Sequence, residues 1–342
     1  MDLLPSDEQQ EIAAAAAAFL AKELPIDGVR ARRHEKRAVD PEVWARCANL
    51  GWFGVGVGEA NGGVGYGLVE EAILFREIGR GLAPGPFLAT SLAVRAALQT
   101  GRIDLAGALM AGDCFAALGL PRDPDAAVED PLYGAFDLID DEGASVLLVA
   151  GPGGSALVDV SALGPVKRLV ALDPASRLGR IDLTGAPATV LPHADAGALF
   201  ERGTVLAAAI LAGTAEAVRD QAAEHARTRV QFGRPIGVHQ AIKHRCAEMA
   251  LRCEAATSQV FFAAAAIDGD RADTGFQASS AKIVATNAAV DNARDNIQIH
   301  GGQGYTFGND ANLHLKHAHA VAATMAPLRW HLAHLLDLVP AE

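Results

Sequence analysis

The chain has 342 residues, half of them hydrophobic and a fifth charged; that exceeds one compact hydrophobic core and points to two or three packed units. Its 41 acidic and 29 basic residues give a net charge of −12 with no long run of either sign. This excludes a nucleic-acid surface as the main business and leaves a local basic patch around a small anion as the remaining electrostatic option.

The first stretch, MDLLPSDEQQEIAAAAAAFLAKE, has an alanine run preceded by Asp2, Asp7, Glu8 and Glu11, the wrong charge for a signal sequence. Ser6 followed by Gln9 predicts a capping box opening a helix over 6–24, and further helices are predicted near 41–50, 68–79 and 88–100. Residues 1–110 therefore read as a helical unit. From 111 to 193 short β-rich runs (SVLLVAG, ALVDV, KRLVALD, ATVL) alternate with PGG, GP, DP and GAP turns, a spacing that suits an antiparallel sandwich or barrel.

Residues 194–342 return to helical periodicity. Ile242, Cys246, Met249, Cys253, Ala256, Val260, Ala263 and Ile267 alternate steps of four and three, the stripe of one long packed helix. Neighbouring helices are predicted over roughly 204–228 and 276–297, the latter ending at Gly301 and Gly302. The longest apolar run, Thr204 to Thr214, is too short to span a bilayer, so no membrane is expected and the protein reads as soluble and cytoplasmic. The four cysteines, Cys47, Cys114, Cys246 and Cys253, form no CxxC pair and read as small apolar packing residues.

Two stretches have the residue types that bind phosphates. RTRVQFGRPIGVHQ (227–240) places three arginines at a helix-to-helix turn, where a planar guanidinium suits a phosphate and Gln240 can reach an adenine or a second phosphate. A solvated interhelical turn has the same composition. QIHGGQGYT begins at Gln298, and its glycines let backbone approach a ligand closely; it matches neither a P-loop nor a dinucleotide fingerprint, and a glycine C-cap explains it equally well. His314, His317 and His319 lack the spacing and the carboxylate or thiolate of a zinc site and read as a solvated helix face, so no metal is expected.

Taken in order, a helical first third with LGW, a glycine-rich loop and an EE helix, a β middle, then RVQFG and QIHGG on long helices, the chain resembles the acyl-CoA dehydrogenase family. The resemblance implies a mainly α fold with a central β domain: an N-terminal helical bundle, a β-sandwich or barrel and a C-terminal four-helix bundle. It implies FAD as cofactor, an acyl-CoA substrate and an electron-transfer flavoprotein as acceptor. It also assigns Arg229, Gln231, Phe232, Gln240, Gln298, Ile299, His300, Gly301 and Gly302 to the ADP half of FAD, reached from the neighbouring subunit.

The pattern is incomplete elsewhere. The family's catalytic glutamate, which takes the Cα proton while hydride leaves Cβ for the flavin, falls at Met325 by ungapped counting. The alternative position falls near Gly203, which leaves Glu201 as the candidate base within this chain. The flavin-side TEP, GSD and tryptophan-strand motifs are missing from FAALGLPRDPDAAVEDPLYGAFDLIDDEGASVLLVAG. Three readings follow. The chain is an FAD-dependent dehydrogenase forming a homo-oligomer with Glu201 as base. It is a silent subunit completing the FAD site of a second dehydrogenase chain, as in the short, divergent chains of actinobacterial steroid-degrading heteromers. Or it is a helical binding protein without flavin. The first two imply a four-chain assembly of dehydrogenase dimers.

Overall fold

The computed structural model describes residues 4–123 and 126–338. Its first helices are α1 (Asp7–Glu23), α2 (Ile26–Ala31), α3 (Pro41–Asn49), α4 (Leu68–Arg80), α5 (Phe87–Gln99) and α6 (Ile103–Ala111). The capping box is present: Gln9 N–H donates to Ser6 Oγ at 3.2 Å and Ser6 N–H to Gln9 Oε1 at 3.0 Å. Asp268 accepts from Leu68 N–H at 2.7 Å, a cap on α4 supplied from 200 residues further along the chain.

The β region forms one mixed sheet of seven strands in the order β5-β6-β2-β1-β3-β4-β7. These are β1 (Ala116–Pro121), β2 (Leu132–Ile139), β3 (Val146–Gly151), β4 (Gly154–Asp159), β5 (Lys167–Leu169), β6 (Leu178–Ala186) and β7 (Thr189–Val190). It is a single sheet with β1 and β3 parallel, where turn spacing alone suggested an antiparallel sandwich or barrel. β3 is buried along its whole length because both its faces are covered. Val146, Leu148 and Ala150 face the main core against the helices, while Leu147 and Val149 face a second core with Phe136, Leu138 and Ile181.

The C-terminal bundle comprises α7 (His193–Thr228), α8 (Gln240–Asp268), α9 (Thr274–His300), α10 (Asp310–Ala322) and α11 (Leu328–Asp337). The small hairpin of β8 (Val230–Gln231) and β9 (Arg234–Pro235) joins α7 to α8. Met249, Cys253, Ala256, Val260 and Ala263 of the predicted stripe are buried. Burial pushes the thiols of Cys47 and Cys253 up to about 12, which keeps them as unreactive packing groups. Among the described residues, α7 alone is long and apolar enough to cross a membrane, and 83 % of that apolar stretch is buried within the fold.

α7 crosses α4 at backbone contact. A Cβ on Gly213 would lie 1.9 Å from Arg76 O, and one on Gly79 would lie 2.0 Å from Ile210 O. Neither clash is with a flexible side chain, so the helices must separate to admit a methyl group. Gly213→Ala is expected to cost about 1–3 kcal/mol, read from urea unfolding; an unchanged midpoint would contradict this close crossing.

Candidate functional site

Met325 lies in the loop between α10 and α11, where it and Ala326 both adopt left-handed backbone, φ 51° and 68°. Such residues cost energy unless the surroundings hold them. Lys282 of α9 holds the loop from beneath, its Nζ donating to Val321 O at 3.0 Å and Thr324 O at 2.8 Å. Burial pushes this lysine down to about 7. His331 of α11 lies 2.8 Å by its Nε2 from Met325 O, with Nδ1 3.2 Å from Ser279 Oγ. Burial, and then the Lys282 charge, push that imidazole down to about 4, so it is neutral and its Nε2–H donates to the Met325 carbonyl.

The Met325 side chain is fully buried and fills the space over Gly203 of α7. A Cβ built on Gly203 would lie 2.5 Å from Met325 Cε and 2.9 Å from Leu92 Cδ1. The two positions at which a base was sought therefore meet at one point, and the pair there is a methionine packed on a glycine. Glu201 is not brought to this point. Its carboxylate lies at the start of α9, near Thr274 and within 3.1 Å of where a Gly275 Cβ would stand. Burial raises its carboxyl above the usual range, opposed by a hydrogen bond with Thr274 and the nearby His334. On an α-helix two residues are about 200° around the axis, so Glu201 and Gly203 face opposite sides.

Beside the loop, between α5, the sheet and α10, a cavity of about 80 Å³ is lined by Phe87, Leu118, Ile139, Ile210, Val321 and Thr324, among others. Ligand pockets are typically about 300–1,000 Å³. A cavity of about 320 Å³ lined by Lys36, Trp44 and Cys114 adjoins the smaller one, the two sharing Pro86 and the buried Asp140, and has no residue of the Met325 loop in its wall. His314 and His317, expected on a solvated face, are instead buried. Burial pushes His314 down to about 3. His317 Nδ1 lies 2.8 Å from Asp173 Oδ2. Burial alone would raise the Asp173 carboxyl, but His317, helped by the Ala175 N–H and the Ser176 hydroxyl, holds it below its usual range. Spacing along α10 could not show this pair, because Asp173 comes from the loop before β6.

At the other end of the bundle the arrangement is open. α7 ends at Thr228, and the hairpin that follows turns through Phe232 (φ 52°) and Gly233 (φ 78°). Arg229 and Arg234 are exposed, and neither forms a salt bridge among the described residues. Gln231 Nε2 donates to the Val230 carbonyl at 2.8 Å, and Phe232 is 95 % exposed at the tip. Gln240 is the exposed first residue of α8. α9 ends at His300, and Gly301 (φ 64°) turns the chain outward; an added Cβ at Gly301 or Gly302 would meet nothing within 4 Å. Gln298 is exposed, while Ile299 is buried with Val218 and Met249 and anchors the turn.

The two motifs are joined by a contact that the sequence reading missed. The rings of His225, in the last turn of α7, and His300 stack with centroids 4.0 Å apart and planes inclined by 25°. Arg229 N–H donates to the His225 carbonyl at 2.9 Å, and His300 Nδ1 lies 2.9 Å from Asn296 O. The available signal was that His225 stands four residues before Arg229, one helical turn away. Exposed guanidinium groups, imidazoles, amides and open glycine backbone form a donor set that fits a dinucleotide's phosphates and base.

Helices, a mixed sheet and a long-helix bundle with these paired motifs define a flavin-dependent dehydrogenase fold. Residues 6–105 match the acyl-CoA dehydrogenase N-terminal domain and residues 194–326 the acyl-CoA dehydrogenase C-terminal domain. Acyl-CoA dehydrogenase IpdE2 of Mycobacterium tuberculosis is 31 % identical over 323 residues, 94 % of this chain and 93 % of its own length. Acyl-CoA dehydrogenase FadE34 of the same organism is 36 % identical over 285 residues, 82 % of this chain, which spans 39 % of that longer protein. A chain of the ChsE4-ChsE5 complex from Mycobacterium tuberculosis has the same fold, with a TM-score of 0.88 and 21 % identity over 100 % of both chains. The chain belongs to the acyl-CoA dehydrogenase family, flavin-using oxidoreductases that act on the CH–CH bond of acyl-CoA thioesters.

Proposed function

We propose that this chain serves FAD-dependent α,β-dehydrogenation of a lipid or steroid side-chain acyl-CoA as the subunit that completes the cofactor site of a second, catalytic chain. The observation that carries this reading is Met325 seated on Gly203: among the described residues, the atoms nearest a Cβ at that position belong to Met325 and Leu92, where the family's glutamate would stand. A further fact supports it: the ADP-side residues at the opposite end of the bundle are open. FAD, when bound, supplies the hydride acceptor.

This chain's residues then bind and orient. Arg229, Gln231, Phe232, Gln240 and Gln298 would hold the ADP half of FAD, and the Ile299–Gly302 turn would offer it backbone N–H groups. On this reading the proton acceptor would be a carboxylate of the partner chain, and the electron acceptor would be an electron-transfer flavoprotein. The homo-oligomeric reading with Glu201 as base would require that carboxylate to leave the start of α9 and cross to the other side of α7.

The chain purified alone is expected to be colourless, and yellow with dye-linked acyl-CoA activity once co-expressed with a catalytic dehydrogenase chain. Glu201→Gln in that assembly should leave the rate unchanged, whereas Arg229→Ala should strip flavin. A yellow, active chain on its own that Glu201→Gln silences would overturn the proposal.

A further inference from the structure

The stacked pair His225–His300 lies where two helix C-termini converge, those of α7 and α9. A helix C-terminus carries partial negative charge from its unpaired carbonyls. An anionic pyrophosphate is therefore repelled there unless cations offset the two helix ends. Arg229 supplies one fixed positive charge; the imidazoles are the other groups at this point able to gain one.

The hydrogen-bond arrangement sets where that proton would go. His300 Nδ1 is 2.9 Å from the Asn296 carbonyl, so Nδ1 carries a hydrogen and, in the neutral ring, Nε2 is an acceptor. An acceptor facing a phosphate oxygen is a mismatch, and a proton on the pair turns it into a donor. The support beneath is firm, because Asn296 is fully buried and donates from Nδ2 to Gln221 Oε1 at 2.9 Å. Gln221–Asn296 and His225–His300 thus form two successive polar rungs between α7 and α9.

The surroundings of His225 favour its neutral form before a ligand arrives. Burial, then His300 and then Arg229 lower the His225 imidazole below its usual range. The nearby acids are engaged elsewhere: Glu224 with Arg227, and Asp295 with Arg245 and Arg252. α8 brings Lys243 to the groove beside Ala226 and Arg227, and α10 brings His314 and Asp310 to the groove below Gln221, where Arg30 pairs with Asp310.

We infer that His225, stacked on His300, is a further anion-binding residue of this turn, and that taking up a cofactor diphosphate requires one proton to be added to the pair. The inference rests on the cofactor reading above. Its consequence is a cofactor affinity that falls as pH rises: a group protonated in the complex and neutral in the free protein weakens binding by up to about tenfold per pH unit between its free and bound pKa values.

The test is calorimetric titration of ADP and of FAD into the flavin-stripped assembly as it is purified, at pH 6, 7 and 8, each in two buffers of different ionisation enthalpy. The expected result for the natural chain is uptake of about one proton, with Kd rising up to about tenfold per pH unit across this range. His225→Phe should lower the uptake and flatten the pH slope, and His225→Arg should bind with no pH slope and no uptake. Far-UV circular dichroism checks that His225→Phe stays folded, and the arginine variant carries the test if it does not. The same slope in both variants, or no uptake by the natural chain while Arg229→Ala loses binding, would overturn this inference and leave the cofactor reading standing. Unchanged binding in Arg229→Ala, or no binding of either nucleotide at any pH, would overturn both.

Discussion

Met325→Glu is expected to give no dehydrogenase activity in the chain alone and to destabilise it in a pH-dependent way. The carboxyl would enter a fully buried space bounded by Gly203 and Leu92, where the charged form is strongly disfavoured. A carboxyl forced to stay protonated costs the work of protonating it, about 1.4 kcal/mol for each pH unit above its unfolded pKa near 4.3. Because burial raises the folded pKa, the contribution to stability is intact below about pH 4 and is lost as pH rises. The expected cost is about 1 kcal/mol at pH 5 and nearly 4 kcal/mol at pH 7, measured as urea midpoints of the variant and the natural chain. Turnover by the variant would show that the space beside Gly203 is a working base site, and a cost independent of pH would show that the carboxyl there is not desolvated.

Glu71→Ala is expected to destabilise by roughly 3–5 kcal/mol, because its carboxylate is the partner of a buried guanidinium, that of Arg202. Arg202 Nε donates to Glu71 Oε2 at 2.8 Å and its Nη2 pairs with the same oxygen; both residues are buried. Arg95 donates to the Gly56 carbonyl, and burial and the neighbouring Arg202 push it down to about 10. The cluster ties α4 and α5 to α7 one residue before Gly203, so it fixes the wall on which Met325 rests. Removal of Glu71 leaves Arg202 buried without its carboxylate. Buried charges are poorly screened, so the loss should persist in high salt. A loss under 1 kcal/mol would show that water reaches these groups.

Local signals carried most of the fold. Ser6 and Gln9 specify a helix start through neighbours, and the stripe from Ile242 to Ile267 specifies one buried face of α8. RVQFG and QIHGG were legible as motifs because their chemistry is local, and the structure brings both to one end of the bundle. Contacts between distant segments were not legible. Nothing near Gly203 in sequence announces that Met325 fills its missing side chain, and nothing near His317 announces Asp173. Glu201 looked two residues from the alternative base position, but two residues along a helix is nearly a half-turn in direction. The parallel pairing of β1 with β3 was hidden for a similar reason, since turn spacing fixes where strands end and not which strands pair.

The most direct measurement is the flavin content of the natural assembly, from its visible spectrum against the amount of each chain. If this chain lends its ADP-side residues and holds no reaction site of its own, the assembly carries one FAD for each pair of unlike chains, and Arg229→Ala in this chain alone empties it. One FAD for every chain, or full flavin content in the Arg229→Ala assembly, would contradict the account.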